Sequence, residues 1–170
     1  MDLTRHVRDI PDFPKEGILF RDIMPLLQDP VALREAVDRI IEYGTGKHVD
    51  VVLGAEARGF ILGAAVAYGL GAGFVCARKP GKLPFTTISA EYDLEYGTDQ
   101  LEVHADAILP GQNVLVHDDL LATGGTAKAK IDLVEQLGGK VVGCAFLIEL
   151  TALKGRKKIE GYDIFSLIQY

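Results

Sequence analysis

Two adjacent carboxylates, Asp118 and Asp119, stand just ahead of the run Ala122-Thr123-Gly124-Gly125-Thr126. Glycines let backbone N–H groups approach a ligand closely, and a helix starting behind them adds partial positive charge, so this run is a candidate anion site. The acids cannot favour that anion themselves. They therefore belong to a different part of the same ligand, such as sugar hydroxyls or a hydrated metal. The run lacks the Gly-Lys-Ser/Thr ending of a P-loop and the G-x-G-x-x-G of a dinucleotide site.

The elements that must position these residues are readable around them. Val114 to His117 is a short apolar run of the kind that forms a buried parallel strand, with the acids where it leaves the sheet. Ile131, Val134 and Leu137 fall on one face of the helix that follows the loop. Upstream, Val49 to Leu53 reads as a first buried strand, followed by Gly54-Ala55-Glu56-Ala57-Arg58-Gly59 and an apolar helix from Phe60 to Leu70. Gly73 to Ala77 reads as a second strand, ending in Arg78-Lys79-Pro80-Gly81-Lys82. Further strands are expected over Val141 to Leu147 and Ile164 to Ile168. Alternating strands and helices imply a parallel sheet with right-handed crossovers, whose ligands sit at the carboxyl ends of the strands. Glu56 and Arg58, then Arg78, Lys79 and Lys82, then the two acids and the loop converge on one crevice.

Other segments have a different texture. Leu3, Val7 and Ile10 mark a short amphipathic helix stopped by Pro11. Asp12 to Gln28 has no period and reads as an ordered loop. Asp29-Pro30 caps a helix carrying Leu33, Val37, Ile40 and Ile41 on one face, with Gly44 as its C-cap. Between Ile88 and Tyr96 apolar and polar residues alternate, and the return Leu101, Val103 completes a β-hairpin. The expected class is α/β, with a parallel-sheet core of about five strands flanked by helices. The whole chain, 1–170, reads as one domain, with an N-terminal hood over 1–30 and a hairpin flap over 86–103.

Composition narrows the function. At 170 residues, 48% hydrophobic and 25% charged, the chain is globular, and no apolar run approaches the ~20 residues of a membrane span. A net charge of -6 excludes a general nucleic-acid binder. The N-terminus, Met-Asp-Leu-Thr-Arg-His, has no signal-peptide core. Cys76 and Cys144 sit inside apolar strand-like runs and are read as buried thiols of a cytoplasmic protein. His6, His48, His104 and His117 have no metal-ligand spacing. Lys154, Arg156, Lys157 and Lys158 read as a solvated patch.

The run Asp118-Asp119-Leu-Leu-Ala-Thr-Gly-Gly-Thr126 resembles the phosphoribosyl pyrophosphate motif of type I phosphoribosyltransferases, in the form found in the adenine-specific branch. Phe20-Arg21-Asp22-Ile23, Glu56-Ala57-Arg58-Gly59-Phe60, Arg78-Lys79-x-Gly-Lys82-Leu-Pro84, Leu94-Glu95-Tyr96-Gly97 and Glu149-Leu150-Thr151 through Arg156 resemble segments of the same branch, in the same order. The resemblance implies that adenine and phosphoribosyl pyrophosphate are converted to AMP and pyrophosphate with Mg²⁺, in a homodimer. It implies that Ala122 to Thr126 hold the 5′-phosphate and that Asp118 and Asp119 accept from the ribose hydroxyls. Arg58, Lys79 and Lys82 would neutralise the leaving pyrophosphate, with Arg78 acting across a dimer interface. Phe20, within Leu19-Phe20-Arg21, would stack on the purine, and Leu150 would pack from the other side. Glu95 would transfer the base's proton and Tyr96 would cap the closed site. A non-proline cis peptide is usual at the Glu56-Ala57-Arg58 turn of this family. His117 is a departure, since the family places an apolar residue there.

An alternative within the same fold is a phosphoribosyltransferase for another purine or for xanthine, against which the Phe20-Arg21 and Leu94-Glu95-Tyr96-Gly97 segments argue. Alternatives in other classes are a purine-sensing repressor and a silent nucleotide binder. A repressor would need a DNA-binding module that 170 residues at this charge do not accommodate. The joint survival of acids, phosphate loop and basic loops disfavours the silent binder.

Overall fold

The computed structural model describes residues 1–94 and 97–170; Glu95 and Tyr96 lie outside the described residues. Its centre is a parallel sheet of β3 (Val51–Ala55), β4 (Gly73–Ala77), β7 (Asn113–Leu121), β8 (Lys140–Glu149) and β9 (Ile164–Gln169), in the order β4-β3-β7-β8-β9. The near-continuous apolar runs are explained by burial on both faces. Along β7 the side chains alternate: Val114 and Val116 pack with α4 (Gly125–Gln136), while Leu115 packs with Ile40 of α2 (Pro30–Gly44) and Val66 of α3 (Arg58–Leu70). The hairpin strands β5 (Thr87–Asp93) and β6 (Thr98–His104) pair antiparallel and lie over α4 and the end of β4.

Several boundaries differ from expectation, each for a local reason. Leu3 to Ile10 is no helix. Asp2 caps a 3-10 turn over Leu3–His6, and Arg8–Ile10 (β1) then pairs antiparallel with Phe20–Asp22 (β2). The pairing is pinned by Arg8, whose Nε and Nη2 donate to Asp22 at 3.0 and 2.6 Å. The stretch expected as loop thus contains β2, and also α1 (Met24–Gln28), started by a proline in its first turn and by Asp22, whose carboxylate accepts from the Met24 N–H at 2.9 Å. Asp29 caps α2 as expected, accepting from the N–H groups of Val31 and Ala32. Gly44 is the last helical residue of α2 and not a left-handed cap; a Cβ there would lie 2.8 Å from Leu70, so glycine serves close packing on α3. The strand β7 runs to Leu121, so both acids belong to its last turn of pleat. Cys144 is buried and Cys76 half-buried, and both are free thiols.

Candidate active site

The carboxyl ends of β3, β4 and β7 open onto a cleft of about 260 Å³ lined by Glu56, Arg58, Lys79, both acids and the loop 122–126. At the end of β3 the Glu56–Ala57 peptide is cis, and Arg58 begins α3 without a side-chain cap on that helix. Glu56 is the hub of the basic loop. Its Oε1 accepts from the Lys79 N–H at 2.7 Å and lies 3.4 Å from Arg78 Nε, and its Oε2 accepts from Lys82 Nζ at 2.5 Å. Burial works to raise its pKa, but the Lys82 bond and the Lys79 amide outweigh it and hold the carboxyl below its usual range. The Lys79 ammonium binds Asp99 and the Tyr92 hydroxyl, the latter at 2.6 Å. One glutamate and one hairpin aspartate therefore hold the cations in reserve at the cleft edge.

The two acids have separate cations. Asp119 Oδ2 lies 2.8 Å from Arg58 Nε, whose side chain is 29% exposed. Asp118 Oδ2 accepts at 2.6 Å from Lys130 Nζ, on α4, whose side chain is fully buried. Asp118 Oδ1 accepts from the Asp119 N–H at 3.1 Å. Gly59 lets this carboxylate sit under α3, since a Cβ there would come within 2.6 Å of Oδ1. Burial, then the neighbouring charge of Asp118, pushes the Asp119 carboxyl up to about 7, and Arg58 opposes this.

Within the run 122–126, Gly124 takes φ 87°, the left-handed conformation that glycine adopts at low cost, and leads into α4, whose start has no side-chain cap among the described residues. Gly124 to Ala127 line the cleft, and among the described residues no side-chain oxygen caps the first turn of that helix, which is the arrangement an anion completes. Backbone packs behind the loop: a Cβ on Gly124 would lie 2.4 Å from the Gly155 carbonyl oxygen, and a Cβ on Gly155 would lie 2.4 Å from that of Ala122.

Comparison with known proteins agrees with this geometry. A model of the phosphoribosyl transferase domain matches residues 27–169. An adenine phosphoribosyltransferase of Thermotoga sp. (strain RQ2) is 61% identical over 170 residues, covering all of both chains. The chain belongs to the adenine phosphoribosyltransferase family. The crystal structure of the family member from Thermoanaerobacter pseudethanolicus superposes with a TM-score of 0.97 at 54% identity, covering 99% of this chain and 98% of that one. The Saccharomyces cerevisiae member, complexed with D-2,5-dideoxy-2,5-imino-altritol 1,6-bisphosphate and adenine, superposes at 0.92 with 40% identity, covering 98% and 96%.

The residues expected from the family resemblance divide into four groups. Arg58, Lys79, Asp118, Asp119 and Ala122 to Thr126 line the cleft. Arg78 and Lys82 reach it through Glu56, and Phe20 through Arg58, whose guanidinium lies 4.9 Å from the Phe20 ring centroid. The side chains of Leu19, Arg21 and Leu150 do not line this cleft. Leu19 is exposed, and Arg21 pairs with Asp9 and stacks 3.7 Å from the Tyr170 ring centroid. Leu150 packs against the apolar cluster of Leu3, Ile23 and Ile148. Glu95 and Tyr96 fall outside the described residues.

Sequence reasoning missed Tyr92, which lines the cleft, and Lys130. The signal for Lys130 was a lone basic residue between Ala127 and Val134 on the buried stripe of α4. Arg156, expected in solvent, forms a two-pronged pair with Glu149 at 2.7 Å on each arm, and Ser166 donates to the same carboxylate. Its guanidinium matches a carboxylate at the end of β8 that would otherwise be buried alone.

Proposed function

We propose that this protein salvages purine by transferring the 5-phosphoribosyl group from phosphoribosyl pyrophosphate to adenine, releasing AMP and pyrophosphate. The observation that carries this reading is the meeting of an uncapped helix start, a pair of acids and a reserve of tethered cations at three neighbouring strand ends. The 5′-phosphate occupies the loop 122–126, where backbone N–H groups and the hydroxyls of Thr123 and Thr126 receive it. Asp118 and Asp119 accept from the ribose hydroxyls and stabilise the cationic, oxocarbenium-like sugar that forms as the bond to pyrophosphate breaks. The leaving group gains negative charge, and Arg58, Lys79 and Lys82 leave their tethers to meet it.

Among the described residues no cluster of three or more His, Cys, Asp or Glu side chains is arranged to hold a metal, and both site acids already face cations. These donors fit Mg²⁺ carried mainly by the oxygens of the substrate, with Asp118 and Asp119 near it. Bound there, Mg²⁺ supplies charge neutralisation on the pyrophosphate.

Adenine stacks on Phe20, and backbone groups of Leu19 to Arg21 read its edge, with Leu150 behind. Adenine donates from N6 where hypoxanthine presents an acceptor, so a carbonyl in that segment rejects the oxo purine. Such a buried mismatch costs roughly 1–3 kcal/mol, a ten- to hundredfold preference. The segment 1–30 acts as a hood and the hairpin 86–103 as a flap that excludes water. Glu95 on that flap receives the base's proton, and Tyr96 closes over the site. Glu95→Gln is therefore expected to slow the chemical step in single-turnover runs, and an unchanged rate would remove Glu95 from the mechanism. The enzyme works as a cytoplasmic homodimer, with Arg78 contributing across the interface.

The test is incubation with Mg²⁺, phosphoribosyl pyrophosphate and adenine, hypoxanthine or guanine in parallel, quantifying nucleotide and pyrophosphate. AMP from adenine is the expected product. Nucleotide from another base would overturn the Phe20 assignment, and no product from any base would overturn the transfer reading.

A further inference from the structure

The two acids look equivalent in sequence and are held differently in space. Asp119 pairs with Arg58, a partly exposed residue at the start of α3 that lines the cleft. Asp118 pairs with Lys130, whose side chain has no exposed surface. Lys130 Nζ also donates to the His117 carbonyl oxygen at 2.7 Å, so it ties the carboxylate to the backbone of its own strand. A polyanion entering the cleft competes for Arg58 and cannot reach Lys130. One cation is exchangeable and the other is fixed.

Burying an ammonium is costly even when it is paired, and an apolar residue on this stripe would be the cheaper way to fill α4's inner face. The neighbours Ala127, Ile131 and Val134 are apolar and buried. Lysine at this position does what an apolar residue cannot, by presenting a charge to the cleft from below.

We infer that Lys130 is a positioning residue for phosphoribosyl transfer, acting through Asp118: it makes that carboxylate the immobile member of the pair, so that only Asp119 changes partner when substrate binds. The inference rests on the transfer reading above. The charged and titratable groups facing this pair are His117 and Asp119 on β7, Arg58 on α3 and Cys144 on β8. His117 is held neutral by burial, its pKa pushed down to about 4, and the Cys144 thiol is pushed up to about 12. Neither can replace the lysine's charge near neutral pH. Without it, two neighbouring buried carboxylates share Arg58 alone and retain a proton between them to higher pH.

The experiment is Lys130→Met, which keeps an unbranched stem and removes the ammonium. It is studied alone and together with Asp118→Asn, below the melting temperature of each variant. The expected result is at least a tenfold loss of kcat/KM for phosphoribosyl pyrophosphate near neutral pH, with the acid limb of the pH profile moved upward and part of the rate regained in alkali. The KM for adenine stays within about twofold. In the Asp118→Asn background the same substitution changes kcat/KM by less than about twofold, because its route to the reaction is already gone. A lysine that only supports the fold would lower the melting temperature, leave the pH profile in place and multiply its effect on the Asp118→Asn enzyme. That outcome overturns the inference. If Lys130→Met alone does not fold, the comparison of Lys130→Met/Asp118→Asn with Asp118→Asn decides: near-equal rates are expected, and a tenfold gap refutes. Wild-type protein that makes no AMP overturns the transfer reading itself, which separates that failure from a failure at Lys130.

Discussion

Replacing His117 by valine is expected to make the protein more tolerant of acid, by an amount that follows from the ring's surroundings. The ring is fully buried beside Phe74 and Gly63; its Nδ1–H donates to the Ala145 carbonyl oxygen at 2.9 Å, while Nε2 has no partner among the described residues. Burial lowers its pKa from 6.5 to about 4, with Asp118 opposing and Lys130 assisting. Because the folded value lies below the unfolded one, the unfolded chain binds this proton more readily. The stability contributed by the neutral ring is therefore complete above 6.5 and is lost as pH falls from there towards 4. Linkage makes the loss roughly 2 kcal/mol between about pH 7.5 and about pH 5. For a chain of this size that is about 4–8 °C in melting temperature. Valine has no proton to bind, so the difference between variant and wild type should move by that amount across the same interval. At neutral pH the substitution removes one hydrogen bond worth about 1 kcal/mol and also removes an unpaired buried nitrogen, so the two proteins should be close. The assay is thermal denaturation at fixed protein concentration in both buffers. Other titrating groups cancel in the difference, so parallel pH dependence in the two proteins would refute the assignment of a buried neutral imidazole.

Other expectations follow from the cleft. Glu56→Gln releases Lys82 and Arg78 from their shared tether and should raise KM for phosphoribosyl pyrophosphate roughly tenfold, with about 1 kcal/mol or less of stability lost because the partner cations are half-exposed; steady-state kinetics with unchanged KM would remove Glu56 from its role as hub. Gly124→Ala forces a side chain into positive φ and against the Gly155 carbonyl, at a cost of about 2 kcal/mol or more. Calorimetry should show phosphoribosyl pyrophosphate binding weakened more than tenfold, and wild-type affinity would contradict the loop's assignment. The raised pKa of Asp119 places the acid limb of kcat/KM above the usual carboxylate range, with activity rising as that carboxyl loses its proton. A limb near 4 would show that Asp119 is not the group being titrated.

The order of elements and the sheet's apolar strands were legible because burial on both faces leaves runs that no helix period explains. Strand ends were less so. The first strand begins at Val51 and not Val49, because His48 takes a positive φ of 52° and Asp50 accepts from the Asn113 N–H at 2.8 Å, tying the strand's entry to its neighbour. β1 and β2 were hidden because a three-residue strand has no period; its existence depends on the Arg8–Asp22 pair closing from 14 residues away. In the cleft, residues contributed by loops at strand ends were predictable from topology. Lys130 and Arg156 were not, since a basic side chain on a helix or in a charged run is ordinarily solvated, and only the fold supplies the carboxylates that draw these two inward.

The pairing of Val51 with Val114 also has a consequence for synthesis of the chain. At about 5–20 residues per second, the inner edge of β3 leaves the ribosome several seconds before β7 exists. Until then the apolar edge that β3 turns to β7 has no neighbour, which is the hazard expected of parallel sheets with distant partners. β7, the strand that closes this edge, is the one that carries Asp118 and Asp119. Escape from aggregation and acquisition of the acid pair are thus a single folding event. A nascent chain that stalls before Asn113 lacks both the strand that closes this edge and the acid pair.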